Sequence, residues 1–543
     1  SERELSAYDK LFVRYLDEYF SFAHIRAAAS HALSGGSYDN ALFHKGFLLT
    51  ASQQLKHLAE SDTSSAKQLE ILTSYHRRLA QEYSKVIAER KSVAELEEKA
   101  NTLEKALARS VPGFGDALRQ VSWQEVQEKL KPGEAAVEFI QYKFYNPKST
   151  DSVFYSALVL RPGDKAPLFV PLFEEREITP LLEGAKSGNV NGINALYTSA
   201  ERKSLYDLIW KPLEGLLQGV TTVYCSPAGL LHRLNLGAIP LDKGQAFSEL
   251  YKLVLLGSTR QLVVPNFFKA AGNSAYVAGG IRYEMDSKAM AYELTESTTR
   301  GMTELNELPF QMDSTTRGGS WKYLPNSATE ALEISKILKE QKFAVQIDTG
   351  YFATEESFKR LGASQPSPRT ILLATHGFFF PDPKPDASEK KMSGELAQPV
   401  FKTSNDPLIR SGLILAGGQQ TWKTGKGKEN REDGILTAYE ISQMNLSGTE
   451  LVVLSACETG LGDIVGNEGV YGLQRAFKIA GAKYLIMSLW SVNDISTREF
   501  MTEFYRQWLK KGLSIPEAFR TTQQKMKIKY KDPYHWAGFV LIE

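Results

Sequence analysis

The chain has 543 residues, enough for three or four domain-sized units, and its 42% hydrophobic and 23% charged composition is that of globular protein. Sixty-four Lys and Arg stand against 63 Asp and Glu, so the broad positive field that nucleic acid or an anionic membrane would need is missing. Two cysteines, Cys225 and Cys457, make neither a disulfide framework nor a zinc cluster.

Residues 1 to 110 read as helical. Phe12, Tyr15, Leu16 and Tyr19 recur at helical spacing, as do Leu42, Phe43, Gly46, Phe47 and Leu49, with Gly35-Gly36 expected to separate the two segments. Ser61 and Asp62 suit the N-cap of a third helix carrying Leu69, Leu72, Leu79, Tyr83 and Val86. A second seam through Leu96, Ala100, Leu103 and Leu107 is out of phase with the first near Val93, which favours two packed helices over one long coiled coil.

Pro112-Gly113 and Pro132-Gly133 then punctuate a change of texture. Strand-like runs follow at Ala136–Tyr142, Val153–Leu160, Leu168–Leu172, Val220–Tyr224 and Leu253–Leu256. Further runs at Ala275–Ala278, Phe343–Ile347, Thr370–Ala374, Glu450–Leu454 and Lys483–Leu489 alternate with helical patterns at 328–339, 355–361, 468–480 and 496–510. That alternation predicts an α/β fold with a doubly wound, mostly parallel sheet. Trp536–Ile542 reads as a final edge strand, and 381–433, rich in Pro, Lys, Gly and Asp, as a solvated insertion with an apolar island at Leu413–Ala416.

In such a sheet, chemistry collects beyond the carboxyl ends of the strands. His376 follows the run Ile371–Thr375, and Cys457 follows Leu451–Ala456. A thiol and an imidazole emerging at one sheet edge can perform acyl transfer, the thiolate attacking a carbonyl while histidine moves protons. Gly377 and Cys457 offer backbone N–H groups for an oxyanion. A cysteine is more often a buried small hydrophobe, the role expected of Cys225, and Ser226 beside His232 reads as turn structure. No nucleotide-binding glycine loop, GxSxG elbow or HExxH helix is present. No metal or other cofactor is expected. The absence of a membrane-length apolar run or signal peptide, together with reduced cysteines, points to a cytoplasmic setting.

Several motifs then carry a resemblance. Leu454-Ser455-Ala456-Cys457-Glu458-Thr459-Gly460-Leu461-Gly462, Gly469–Phe477 and Ala374-Thr375-His376-Gly377 resemble the CHAT domain, a caspase relative associated with tetratricopeptide repeats. Ser488-Leu489-Trp490 with Asp494, Pro227–Leu234, Ala353-Thr354-Glu355, Asp406–Leu413 and His535–Phe539 match as well, so the likeness runs from about residue 130 to the end. It implies a caspase-like fold in three parts: a helical region over 1–125, a pseudo-caspase subdomain over 126–270 and an active caspase-like subdomain over 271–543. It implies a cysteine endopeptidase of the clan that holds caspases, separase and gingipain, with His376 and Cys457 catalytic. Asp494 and Ser455 would line the pocket for a basic residue on the amino side of the cut (P1). Caspases carry Gln-Ala-Cys-Arg-Gly and a spacing of about fifty residues between histidine and cysteine; here Glu458-Thr459 follow the cysteine and the spacing is 81. Partners would be a protein substrate and an activator held by the N-terminal helices, with no nucleic acid or membrane. Lys423, Lys426, Lys428 and Arg431 offer points of self-cleavage. A catalytically silent scaffold and a transpeptidase using the same pair are the competing readings.

Overall fold

The computed structural model describes residues 2–26, 30–83, 85, 89–117, 119–186, 189–198, 204–241, 244–264, 268, 272–284, 321–381, 404, 406–424, 432–456, 460, 462–465 and 469–543. Val86 and Cys457 lie outside them, as do Lys426, Lys428 and Arg431.

Five helices open the chain: α1 (Glu2–Arg26), α2 (His31–His44), α3 (Phe47–Ser61), α4 (Thr63–Tyr83) and α5 (Val93–Ser110). Their ends follow local chemistry. Ser30 caps α2 by accepting from the Leu33 N–H, and the Asp62 carboxylate accepts from the Ser65 N–H at 2.8 Å before α4. Gly46, at φ +66°, breaks the chain between α2 and α3, where the periodicity had suggested one helix. The expected break at Gly35-Gly36 does not occur, because both lie inside α2. Their reason is close packing: a Cβ on Gly35 would sit 2.9 Å from Trp123 Nε1, and one on Gly36 would collide with the Tyr19 hydroxyl. Leu72, Leu79, Leu96 and Leu107 form one apolar cluster, which makes α4 and α5 two packed helices.

The strands are β1 (Glu134–Tyr145), β2 (Ser149–Leu160), β3 (Leu168–Glu174), β4 (Thr222–Ser226), β5 (Lys252–Leu255), β6 (Ser274–Ile281), β7 (Ala344–Gly350) and β8 (Thr370–Leu373). They continue with β9 (His376–Phe379), β10 (Ser411–Ile414), β11 (Ile435–Thr437), β12 (Leu451–Leu454), β13 (Asp463–Val465), β14 (Gly469–Tyr471), β15 (Tyr484–Ser488) and β16 (Phe539–Ile542). Eleven of them form a single sheet in the order β3-β2-β1-β4-β5-β16-β15-β12-β8-β6-β7. Among the described residues seven of its ten pairings are parallel, the exceptions being β1/β2, β2/β3 and β15/β16. β16 is therefore not an edge. It lies between β5 and β15 and joins the mixed block β3-β2-β1-β4-β5 to the parallel block β15-β12-β8-β6-β7 in one sheet.

The sheet is wound on both faces. Along β8 and β12 side chains alternate with period two: Leu372, Leu451 and Val453 face one core, while Ile371, Leu373, Val452 and Leu454 face the other. The first core takes Ile334 of α6 (Pro325–Glu340) and Phe504 of α10 (Asp494–Tyr505). The second takes Phe358 of α7 (Glu355–Lys359), Ile441 of α8 (Ala438–Ser442) and Phe477 of α9 (Leu473–Ala480).

The N-terminal helices grip both blocks. Lys45 Nζ, buried, lies 2.8 Å from Glu138 Oε1 and donates to the carbonyls of Phe139 and Ser226. Glu138 Oε2 also accepts from the N–H and hydroxyl of Thr259. On the other block Gln53 of α3 donates to Lys478 O at 2.7 Å, Lys56 donates to Met444 O, and His76 of α4 hydrogen-bonds the Tyr439 hydroxyl at 2.8 Å. No helix among the described residues is long and apolar enough to cross a membrane.

Candidate active site

β8 and β12 are neighbours, and Leu373 and Leu454 face each other at their carboxyl ends. His376 and Cys457 each lie three residues beyond that pair in sequence. After β8 the chain stays against β6, with the Ala374 N–H on Ala278 O. Thr375 is buried, donating to Ile414 O and meeting the Tyr283 hydroxyl at 3.1 Å. His376 then leaves the large sheet and opens β9, the outer strand of a second sheet in the order β11-β10-β9.

The imidazole is half-buried between the rings of Tyr283 and Trp321, each 5.0 Å away. Its Nε2–H donates to Lys322 O at 2.8 Å, which leaves the Nδ1 lone pair as the basic position. Burial lowers its proton affinity and the bond to Lys322 O partly restores it. Gly377 follows. The Phe380 N–H bonds Arg410 O and sets the phase of the antiparallel ladder, so His376 and Phe378 are its hydrogen-bonding positions. The Gly377 N–H consequently points away from β10, off the outer side of β9.

The cysteine segment is held at its flanks. Ser488, the last residue of β15, donates its hydroxyl to Ala456 O and accepts the Gly460 N–H at 2.8 Å. A Cβ on Gly460 would sit 3.0 Å from Ser488 O, so this close approach favours glycine. Arg410, 1% exposed, pairs with Asp463 and donates to the carbonyls of Phe380 and Ser404. It thereby ties the histidine strand to the β13–β14 hairpin that follows the cysteine. That hairpin displaces the helix expected from Glu468, and α9 starts at Leu473 because Gly469, at φ +78°, belongs to the turn and strand before it.

Ser455 and Asp494 are brought close to a residue that sequence reasoning missed, Glu330 of α6. Ser455 Oγ donates to Glu330 Oε2 at 3.0 Å. Asp494, the first residue of α10, is half-buried and accepts from Asn326. Burial, with smaller contributions from Asp494 and Glu333, raises the Glu330 pKa to about 8. A signal existed: Glu330 stands on the stripe of Ser327, Ala331, Ile334 and Leu338, all of them buried, where a charge has no place in an ordinary amphipathic helix.

The 381–433 segment is also more than a solvated insertion. Ser411–Ile414 is β10, buried throughout, with Leu413 and Ile414 both packed in the second core. The exit of the segment is fastened by Lys359 of α7, whose Nζ lies 2.5, 3.0 and 2.7 Å from Glu355, Glu432 and Glu440. Lys423 is exposed in the helix Gly418–Thr424. Ser226 spends its hydroxyl proton on Gly257 O and Cys225 is buried within β4, so the first block has no such arrangement among the described residues.

A family model described as the CHAT domain matches residues 200–543. Tetratricopeptide repeat protein 28 of Mus musculus is 34% identical over 111 residues, 20% of this chain and 4% of that protein. The Homo sapiens protein of the same name is 23% identical over 389 residues, 68% of this chain and 14% of that protein, so the chain spans a small part of either relative. Among solved structures, the Arg-specific cysteine proteinase gingipain R aligns at 8% identity and TM-score 0.35, covering 68% of this chain and 74% of its own. The Saccharomyces cerevisiae separase–securin complex aligns at 10% identity and TM-score 0.38, covering 89% and 37%. With the family model matching well over half of its length, the chain belongs to the CHAT-domain family.

Proposed function

We propose that the chain is a cysteine endopeptidase in which Cys457 is the nucleophile and His376 the base, cutting a protein partner after a lysine or arginine. The observation that carries the reading is the shared edge: two chemically competent residues, each three positions past the facing ends of adjacent parallel strands. The imidazole is held by Lys322 O in the tautomer whose Nδ1 can take a thiol proton. The thiolate adds to the peptide carbonyl, and the Gly377 and Cys457 N–H groups take up the oxyanion. The imidazolium then protonates the departing amine, and water releases the acid from the thioester with histidine again as base.

In this reading residues 1–125 sense a partner, 126–270 form a catalytically silent subdomain and 271–543 hold the active site. The contacts of Gln53, Lys56 and His76 support such regulation, since they reach the elements around α8 and α9 beside the site. The test is a peptide-library cleavage profile of wild type, Cys457→Ala and His376→Ala, with mass spectrometry for cuts after Lys423, Lys426, Lys428 or Arg431. Cleavage after basic residues that falls at least about a thousandfold in either variant is expected. Activity that survives Cys457→Ala, or none in wild type under any condition, sinks the reading.

A further inference from the structure

We propose that Glu330 is the buried counter-ion for the lysine or arginine side chain of the substrate, which it receives together with Asp494 beside Ser455. This rests on the endopeptidase reading and adds to it a residue and a proton. Glu330 is 3% exposed, and only one of its oxygens is used: Oε2 accepts the Ser455 hydroxyl, while Oε1 has no partner among the described residues. A half-satisfied buried carboxyl weakens a fold unless something completes it. Its surroundings say what kind of group that is. Ser455 stands two residues before Cys457, so along the chain the group adjoins the proposed nucleophile. Asp494 on α10 and Glu333 on α6 both oppose the ionisation of Glu330, Arg498 on α10 favours it, and the Tyr505 hydroxyl is uncharged. Acids outnumber bases, and once Glu330 is ionised its open oxygen is an acceptor. A guanidinium or ammonium on a long flexible stem supplies both donors and positive charge.

The same arrangement couples binding to a proton. Without a cation Glu330 keeps its proton up to about pH 8. When the cationic side chain enters, the acid ionises, the ion pair forms and one proton leaves to solvent. Affinity for a cation should therefore rise about tenfold per pH unit up to that point, while affinity for a neutral isostere should not.

The experiment uses the full chain carrying Cys457→Ala, so that binding is read without turnover. Acetylated tripeptide amides ending in arginine or in citrulline are titrated by calorimetry from pH 6 to 9, in buffers of different ionisation heat. We expect the arginine-over-citrulline preference to climb about tenfold per unit towards pH 8, with close to one proton released at pH 7. Glu330→Gln keeps the shape and a partner for Ser455, and it should remove both the slope and the proton. Asp494→Asn should reduce the preference and leave the slope. A preference that is absent, flat with pH, or undiminished in Glu330→Gln overturns the proposal, and the wild-type pocket's slope needs no Glu330 variant to fold. Glu330-dependent binding in a chain that never cleaves peptides would sink the endopeptidase reading alone. Active wild type with binding indifferent to Glu330 would sink the counter-ion alone.

Discussion

The two blocks of the sheet place a cysteine and a histidine differently relative to their strand ends, and that difference decides what the residues can do. In the first block Cys225 is inside β4, opposite Val137 on one side and Leu255 on the other, with no exposed surface. Burial pushes its thiol pKa far up, so the reactive thiolate is suppressed. His232, beyond β4, is driven down to about 3 by burial and by Lys45, and its Nε2 has no partner among the described residues. In the second block His376 stands past the strand end, half-buried, with one nitrogen fixed on a carbonyl and the other left as a base. The same two residue types are core in the first block, and under the proposed function they are the catalytic pair in the second.

The largest effect expected from breaking this contrast is structural. Lys45 and Glu138 form the buried ion pair by which the N-terminal helices hold the first block. Burial lowers the Lys45 pKa, and Glu138 works against that loss. Lys45→Met leaves a carboxylate buried without its cation and should cost about 3–5 kcal/mol in chemical denaturation. Adding Glu138→Gln should return part of that loss. A single variant within about 1 kcal/mol of wild type would mean that the pair does not hold the blocks together.

A smaller effect tests the second block through pH. Glu330 has a folded-state pKa raised from 4.5 to about 8. Its stabilisation is thus fully present below the unfolded value and is lost as pH climbs towards 8. Between pH 6 and 8 wild type should lose about 2–3 kcal/mol relative to Glu330→Gln, read as the difference of two denaturation series. Taking the difference cancels Lys56 and Lys478, whose lowered pKa values, about 8 each, act in the opposite direction at higher pH. A difference that stays constant with pH would place Glu330 in water rather than in the core.

How much of this was legible depends on range. Local period and turn chemistry gave the strands β1 to β8, the helix start at Asp62, and the placing of His376 just beyond β8. What failed was set by contacts distant in sequence. Gly35 and Gly36 looked like a break because nothing local reveals that Trp123 and Tyr19 press against that face of α2. Phe539–Ile542 looked like an edge because its partners, β5 and β15, are fixed only when two blocks meet. Ser411–Ile414 was masked by its polar flanks, although Arg410 beside it is one of the most buried side chains in the protein. Glu330 was visible as a misfit on an apolar stripe, but only Ser455 and Asp494, each more than a hundred residues away, give the misfit a use.

The smallest predicted effect is the one that separates the cysteines. Cys225→Ala removes a sulfur from a packed strand and leaves a small void, which should cost about 1–2 kcal/mol. Its strand partners are Val137 and Leu255 of the first block, so peptide cleavage should stay within about twofold of wild type once the variant is folded. A thiol reagent applied to the native protein should modify Cys457 while Cys225 stays protected until unfolding. The argument turns on which quantity moves. Loss of stability with retained activity is the behaviour of a core residue. Loss of activity at unchanged stability would carry the chemistry across β16 into the first block, and the contrast between a cysteine inside a strand and one beyond its end would no longer explain the molecule.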